Sequence, residues 1–286
     1  MRIIKNALQM QKIALGHFKN GDEIGLVPTM GALHEGHISL IAKSEKSDDI
    51  TIVSIFVNPT QFGPNEDYLK YPKTVNKDLE ICKRNHVDYV FMPAVNDMFL
   101  TNHKTFVEVE ILQDILCGKF RSNHFRGVVT VVVKLFNISC ADRSYFGMKD
   151  FQQLRIIEKM VKDLNFRTKI ILCPIVREKS GLAISSRNSY LSVDERKASE
   201  NISKILKEAS KDFKIKDLNF VKENVLSKLK KIPDSKLDYA EVVDFNDLSL
   251  ADENTRKVVF AVAIWIGCTR LIDNNIMIKQ AKCRQL

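Results

Sequence analysis

The chain has 286 residues and a formal net charge of +9, with 45% hydrophobic and 28% charged residues. This composition is typical of a globular protein with one or two domains. The sequence contains no apolar stretch near the roughly 20 residues that a membrane-spanning helix needs. Residues 1–6 carry no signal-peptide hydrophobic region or cleavage site, so we expect a cytoplasmic protein without membrane association.

The cysteines and the charge distribution exclude further classes. Six cysteines are scattered without a Cys-x-x-Cys pair, which indicates reduced packing residues: Cys82, Cys117, Cys140, Cys173, Cys268 and Cys283. Much of the positive charge is lysine in residues 204–236, on two predicted surface helices, without the arginine and aromatic clusters that read bases. We therefore expect no nucleic-acid partner, while a basic field favours anionic small molecules such as ATP and carboxylates.

In chain order, the N-terminal part alternates between helices and strands. We predict helices at 5–19, 37–46, 74–85, 127–137 and from 151, and strands at 24–27, 51–57, 88–92, 143–146 and 169–173. This alternation predicts an α/β fold, a Rossmann-like doubly wound parallel sheet over residues 1–174. Residues 118–127 are polar and basic and predict a loop. Residues 127–137 are rich in valine, but their length favours a buried helix.

The C-terminal part has a different composition. Lysine-rich helices are predicted at about 194–212 and 217–231, followed by strands at 236–244, 257–264 and 275–278. This pattern predicts a smaller α+β domain over residues 175–286.

Residues 26–37 carry the most informative motif. A buried strand is ended by Pro28 and Gly31, and Gly36 permits a tight turn into an amphipathic helix. His34 and His37 stand three residues apart where that helix begins, on the side of its free backbone N–H groups. Helix N-termini attract anions, and imidazoles add donors, so this segment predicts a polyphosphate site.

Other site types are less consistent with the two histidines. A catalytic zinc site needs a third protein ligand, and no nearby Cys or His stands at a usual spacing. The G-x-G-x-x-G and G-x-x-x-x-G-K-[ST] loops are absent, which disfavours a dinucleotide dehydrogenase or a P-loop enzyme.

Further candidate residues follow three later strands. Asn58 and Gln61 come after the strand at 51–57, and their uncharged amides suit a hydroxy acid or an amide, although turn chemistry alone explains either residue. Lys149 lies between a strand and a helix, where a cation can offset phosphate charge. Asp150 can cap that helix or bind a ribose hydroxyl, and Gln153 lies one turn into the helix on the same side. Residues 180–188 place two hydroxyls beside Arg187, which predicts an anion clamp.

Taken together, these motifs resemble the pantoate–β-alanine ligases (pantothenate synthetases) of the HIGH-motif nucleotidyltransferase superfamily. The resemblance lies in residues 28–37, 54–62, Gly147 with 149–154, 181–183 with 185–188, and 269–274. It implies a cytoplasmic homodimer that uses Mg²⁺ and ATP to adenylate pantoate. The amine of β-alanine then attacks the adenylate and releases pantothenate and AMP.

The resemblance also implies roles for individual residues. His37, the family's proton donor, and His34 would act on the phosphates together with Lys149, Ser185, Ser186 and Arg187 as the catalytic set. The remaining nucleotide contacts would come from Met30, Gly31, Ala32, Leu33, Glu35, Gly36, Gly147, Met148, Asp150, Val176 and Ile184. Pantoate would be held by Gln61, Gln153, Pro28, Met30, Asn58 and Arg121, with Gln61 also binding β-alanine and Arg121 marking a flexible wall near the substrate. Asp78 is the candidate magnesium ligand.

Two positions depart from the family's usual pattern. Met148 replaces a common glutamate, and Ile184 replaces a methionine; neither change predicts an inactive protein. Two alternatives remain open at this point. One is another nucleotidyltransferase on the same scaffold, against which Gln61 and Gln153 argue. The other is a nucleic-acid-binding or regulatory protein that uses its basic C-terminal region.

Overall fold

The computed structural model describes residues 1–64 and 66–279; Cys283 lies outside these ranges. The helices are α1 (Ala7–Asn20), α2 (Glu35–Ser47), α3 (Val75–Arg84), α4 (Val95–Met98), α5 (His124–Ser139), α6 (Phe151–Asp163), α7 (Val193–Asp212) and α8 (Leu218–Leu229). The strands are β1 (Arg2–Ile4), β2 (Ile24–Thr29), β3 (Ile50–Ile55), β4 (Tyr89–Phe91), β5 (Arg143–Gly147), β6 (Lys169–Cys173), β7 (Ser235–Asp244), β8 (Lys257–Ile266) and β9 (Thr269–Ile278).

The first six strands form one parallel sheet in the order β1-β4-β3-β2-β5-β6. The order runs one way from β2 through β3 and β4, and the other way from β2 through β5 and β6. The predicted doubly wound sheet is therefore confirmed, with its switch point between β2 and β5. Ligands of open parallel sheets bind outside the carboxyl ends of the strands at such a point.

Apolar residues on both faces of the central strands explain why this sheet is covered by helices. Val27 of β2, Val53 of β3 and Val90 of β4 are fully buried and pack in one cluster with Ile41 of α2. Helix α5 confirms the predicted buried helix, since twelve of its sixteen residues are buried. Its valines lie in a helix because tertiary burial outweighs their strand propensity.

The second sheet is antiparallel and has three strands in the order β7-β8-β9. Its core joins β8 to the apolar stripes of α7 and α8, with Leu206, Val221, Phe260 and Val262 almost completely buried. The lysines of the two helices lie outside this apolar stripe. The predicted α+β character of the C-terminal part is confirmed.

The described chain divides into two compact units. The first comprises Met1–Met148 and Ile156–Val176, and the second comprises Lys149–Arg155 and Arg177–Leu286. The first turn of α6 thus groups with the second unit, whereas the predicted boundary was a single position after residue 174. None of the helices in residues 1–64 and 66–279 has the length and apolarity needed to cross a membrane.

Several element bounds differ from the sequence prediction. Strand β1 and the short α4 were missed, since each is only three or four residues long. Strand β2 continues through Pro28 to Thr29 instead of ending at Pro28. Strand β9 begins at Thr269, because antiparallel pairing with β8 outweighs the poor strand propensity of its Asp and Asn residues.

Candidate active site

The turn after β2 is built from left-handed backbone. Gly31 has φ +82° and Ala32 has φ +50°, a conformation that is unfavourable for a residue with a side chain. Gly31 therefore provides the turn that the sequence analysis assigned to Gly36. The Thr29 hydroxyl donates to the Ser54 carbonyl at 2.7 Å and accepts the Gly31 N–H at 3.1 Å, which ties the turn to β3.

Asp78 holds the next two residues of the turn. Its carboxylate accepts the Ala32 N–H at 3.0 Å, the Leu33 N–H at 2.8 Å and the Thr74 hydroxyl at 3.0 Å. Asp78 is 1% exposed. A buried carboxylate with three donors is poorly placed to hold a metal ion as well, which argues against the predicted magnesium ligation. No group of three or more His, Cys, Asp or Glu in residues 1–64 and 66–279 could hold a metal.

His34 and His37 stack against each other where α2 begins, with ring centroids 4.1 Å apart. His34 is the N-cap, and its Nδ1 accepts the Gly36 N–H at 3.2 Å. Nδ1 of His37 accepts the His34 N–H at 3.4 Å. Because a backbone amide only donates, Nδ1 is the accepting nitrogen of each ring in this arrangement, and Nε2 is the nitrogen that can carry an N–H. Both imidazoles can therefore donate to an anion through Nε2.

Gly36 lies inside the first turn of α2, and its φ is not in the left-handed region. A Cβ at this position would lie 2.9 Å from Cε1 of His34. Glycine is therefore required so that the His34 ring can lie against the backbone, and not because the chain turns there. Glu35, the first helical residue, is exposed.

Gln61 follows β3 in a short 3-10 helix, Pro59–Gln61, and is 9% exposed. Its Oε1 accepts from Nδ2 of Asn58 at 3.1 Å, and its Nε2 donates to the Met30 sulfur at 3.2 Å. The orientation of the Gln61 amide is therefore fixed from both ends. The structure thus brings together three residues that the sequence analysis assigned to pantoate.

Asn58 is 1% exposed, and the described residues occupy its amide on both sides. Nδ2 donates to Gln61 and also to the Gly127 carbonyl at 3.1 Å, while Oδ1 accepts the N–H and the hydroxyl of Thr60. These bonds place Asn58 behind Gln61 as its support. Pro28 lies in β2, one residue before Thr29.

Arg121 forms a bidentate ion pair with Glu66, with Nε donating to Oε1 at 2.8 Å. Its Nη1 lies 3.0 Å from Nε2 of His124, and the other ring nitrogen of His124 lies 2.8 Å from the Gln61 carbonyl oxygen. A carbonyl only accepts and a guanidinium only donates, so His124 has its proton on Nδ1. Arg121 is therefore fixed to the turn that carries Gln61.

His124 and Gly127 belong to this site, although the sequence assigned neither of them a role. The loop was predicted to extend to residue 127, where the predicted helix began, but α5 already begins at His124. A Cβ on Gly127 would lie 2.3 Å from the Thr60 carbonyl oxygen. This contact lets the 3-10 turn lie directly on α5. A glycine directly before the run of valines was the available signal.

Two predicted nucleotide residues lie at the carboxyl end of β5, at the switch point of the sheet. Gly147 ends β5, and Met148 begins a 3-10 turn. Val176 lies three residues beyond β6. These three positions belong to the first unit.

The second unit contains the other polar residues of the motif. Nζ of Lys149 lies 3.7 Å from Oδ2 of Asp150, and the Lys149 carbonyl accepts from Nδ2 of Asn274 at 2.9 Å. Gln153 is the third residue of α6 and is partly buried. Asn274 thereby connects β9 to the segment that leads into α6 within this unit.

The loop predicted as an anion clamp lies in the second unit and is held by an ion pair and by hydrogen bonds. Arg177 forms a bidentate pair with Asp273, at 2.7 and 2.8 Å, and also donates to the Gly181 carbonyl. Ser185 caps a 3-10 helix, Ser186–Tyr190, by accepting the Arg187 N–H at 3.3 Å. Ile184 directly precedes this cap and is partly buried.

Three of the cysteines, Cys82, Cys140 and Cys173, are not activated thiols. Burial, together with the charge of Asp78, raises the pKa of Cys82 to about 12. Burial also raises the pKa of Cys140 and Cys173. A nucleophilic cysteine needs a lowered pKa, so these three residues act as packing groups, as the sequence predicted.

Comparisons with known proteins agree with this geometry. A family model described as pantoate-beta-alanine ligase matches residues 2–276. A protein named pantothenate synthetase from Endomicrobium trichonymphae is 77% identical over 279 residues, which cover 98% of this chain and 99% of the relative. A second pantothenate synthetase, from Sulfurihydrogenibium sp., is 52% identical, and the match covers 96% of this chain and 99% of the relative.

Two crystal structures are also similar. Pantothenate synthetase from Thermus thermophilus has a TM-score of 0.91 at 34% identity, covering 96% of this chain and 99% of the other. Pantoate-beta-alanine ligase from Francisella tularensis, complexed with beta-gamma ATP and beta-alanine, has a TM-score of 0.80 at 38% identity. This match covers 96% of this chain and 97% of the other. The chain therefore belongs to the pantoate–β-alanine ligase family and is an enzyme that joins pantoate and β-alanine through an amide bond.

Proposed function

We propose that this enzyme couples amide formation to ATP through a pantoyl adenylate. A carboxylate oxygen of pantoate attacks the α-phosphorus of ATP, and pyrophosphate leaves. The amine of β-alanine then attacks the activated carbonyl carbon, loses a proton and displaces AMP. The observation that carries the proposal is the Gln61 amide, fixed by Asn58 and Met30, in the same unit as the paired imidazoles of His34 and His37.

The two imidazoles suit the polyphosphate because each presents an Nε2–H. As pyrophosphate leaves, negative charge grows on its oxygens, and donors fixed in place stabilise that charge without reorganisation. We assign His37 the role of proton donor and His34 that of its stacked partner on the phosphates. Lys149, Ser185, Ser186 and Arg187 are proposed to supply further donors to the same phosphates.

Pantoate is proposed to bind through Gln61 and Gln153, with the backbone of Pro28 and Met30 beside it. Gln61 has one fixed amide orientation, which suits a substrate carrying hydroxyls and a carboxylate. Asn58 and Arg121 contribute by holding the Gln61 turn, through the contacts of 3.1 and 3.5 Å that they make with it. We propose that Gln61 also receives β-alanine.

The remaining nucleotide contacts are proposed from motif positions. They comprise Met30, Gly31, Ala32, Leu33, Glu35 and Gly36 around the first turn, and Gly147, Met148, Asp150, Val176 and Ile184. The N–H groups of Gly31, Ala32 and Leu33 already donate to side chains. These three residues therefore act by shaping the site, and the imidazoles provide the donors.

Magnesium is proposed to arrive with ATP. Mg²⁺ is often held by substrate phosphates with one or two carboxylates, and the described residues offer it no preformed cluster. A homodimer and a cytoplasmic location are proposed from the family resemblance.

The test measures each half-reaction in turn. Pyrophosphate release from Mg-ATP should require pantoate alone, and AMP release should then require β-alanine. If a folded protein that still binds ATP releases no pyrophosphate with pantoate, the substrate assignment is refuted, and other carboxylic acids should be tested. A salt-dependent mobility shift with a generic oligonucleotide, without ATP consumption, would instead support the nucleic-acid alternative.

A further inference from the structure

Three consecutive N–H groups in the turn between β2 and α2 donate to side chains. The Gly31 N–H donates to the Thr29 hydroxyl, and those of Ala32 and Leu33 donate to Oδ2 and Oδ1 of Asp78. A phosphate-binding loop of the glycine-rich type presents such groups to its ligand. In this turn they instead fix the backbone that leads into His34.

The Ala32 backbone explains why a strong acceptor is needed. Its φ of +50° costs a residue with a side chain roughly 1–2 kcal/mol. Hydrogen bonds to a buried carboxylate are stronger than those to a neutral acceptor. Asp78 offers one oxygen to each amide, so both neighbouring peptide planes are oriented together.

Asp78 is itself held from the first turn of α3. The Thr74 hydroxyl donates to Oδ1 at 3.0 Å, and the Asp78 N–H donates to the Thr74 carbonyl at 2.9 Å. Gly31 fits closely here, because a Cβ would lie 3.1 Å from Oδ2 of Asp78. Neither the carboxylate nor the turn can shift without disturbing the other.

We infer that Asp78 is a positioning residue for the first half-reaction. It fixes the Gly31–Leu33 turn and thereby sets the direction in which His34 and His37 present their Nε2–H groups. This inference rests on the proposed function, because it assigns those imidazoles to the pyrophosphate that leaves. Pyrophosphate is absent when β-alanine attacks the adenylate, so the second half-reaction does not depend on this alignment.

The test compares the half-reactions in Asp78→Asn. This variant places an NH₂ group opposite one of the two amide donors. We expect pyrophosphate release per folded molecule to fall on the order of 100-fold, the effect of a misplacement near 1 Å. Conversion of supplied pantoyl adenylate by β-alanine should stay close to the wild-type rate. A purely structural role would lower both rates equally.

A second variant and a control keep the test decisive. Thr74→Val removes only the donor behind Asp78, and it should produce the same selective loss at a smaller size even if Asp78→Asn fails to fold. Asp88→Asn is the control, because that carboxylate also accepts a backbone N–H, from Thr51 at 2.9 Å, where β3 begins. It should leave the ratio of the two rates unchanged.

Three results would overturn the inference. They are equal losses in both half-reactions, a selective loss in Asp88→Asn, and a higher Mg²⁺ requirement of Asp78→Asn at saturating ATP. The last result would make Asp78 a metal ligand after all. Failure of the proposed function is a separate outcome, since it would show in the wild-type protein as no pantoate-dependent pyrophosphate release.

Discussion

Replacing Gly127 with alanine tests how closely the Gln61 turn must lie on α5. The new Cβ would lie 2.3 Å from the Thr60 carbonyl oxygen and 2.7 Å from the Gln61 nitrogen, whereas ordinary contact begins at 3.4 Å. The turn must therefore move by about 1 Å, and it carries Gln61 with it. A displacement of that size costs on the order of 100-fold in rate, or about 2.7 kcal/mol of transition-state stabilisation.

The assay is steady-state pyrophosphate release at varied pantoate, combined with thermal unfolding. We expect the KM for pantoate to rise, because Gln61 moves, while loss of folded protein alone would lower only kcat. Gly16→Ala in α1 is the matched control, since nothing lies within 4 Å of its Cβ, and it should stabilise the helix by roughly 0.5–1 kcal/mol. A Gly127→Ala enzyme with wild-type KM and kcat would refute this account of the turn.

Two further predictions concern the phosphates and a buried polar network. His37→Ala and Lys149→Ala should each slow pyrophosphate release by on the order of 100-fold while leaving pantoate binding largely intact, because charge on the phosphates develops in the transition state; near-normal release would disprove both roles. Tyr145→Phe removes a hydroxyl that donates to Asp48 at 2.6 Å. Burial and the Asp48 carboxylate raise the Tyr145 pKa above its ordinary value near 10. The stability from this bond is therefore fully present below pH 10 and is lost as the pH rises further. Urea unfolding should show wild type more stable by ~1.5–3 kcal/mol at pH 8, with a smaller difference at pH 11; a constant difference would contradict the assignment.

Most of the sheet was predictable because its central strands are continuous apolar runs with turn signals at both ends. Residues 24–29 and 50–55 have this pattern, and the structure places both inside the parallel sheet. Short edge elements such as β1 carry too few residues for a periodic signal. The first half of β9 has little strand propensity because it contains Asp273 and Asn274. The side chains of these residues bind Arg177 and the Lys149 carbonyl, contacts that the sequence alone does not show.

The candidate site was predictable in its residue types but not in their supporting contacts. The spacing of His34 and His37 already placed both rings at the start of α2. Nothing in sequence spacing shows that Asp78, more than forty residues away, holds the turn before them. The ion pair of Arg121 was not predictable either, because its partner Glu66 is distant in sequence.

The bonds that occupy the amides of Gly31, Ala32 and Leu33 also affect how much conformational entropy nucleotide binding costs. A loop that becomes ordered only on binding loses roughly 1–2 kcal/mol of backbone freedom per residue, which weakens the observed affinity. In this turn the backbone is fixed during folding, so ATP meets an arrangement that already exists. Amide hydrogen exchange at these three positions should therefore be slow before nucleotide is added and should change little afterwards.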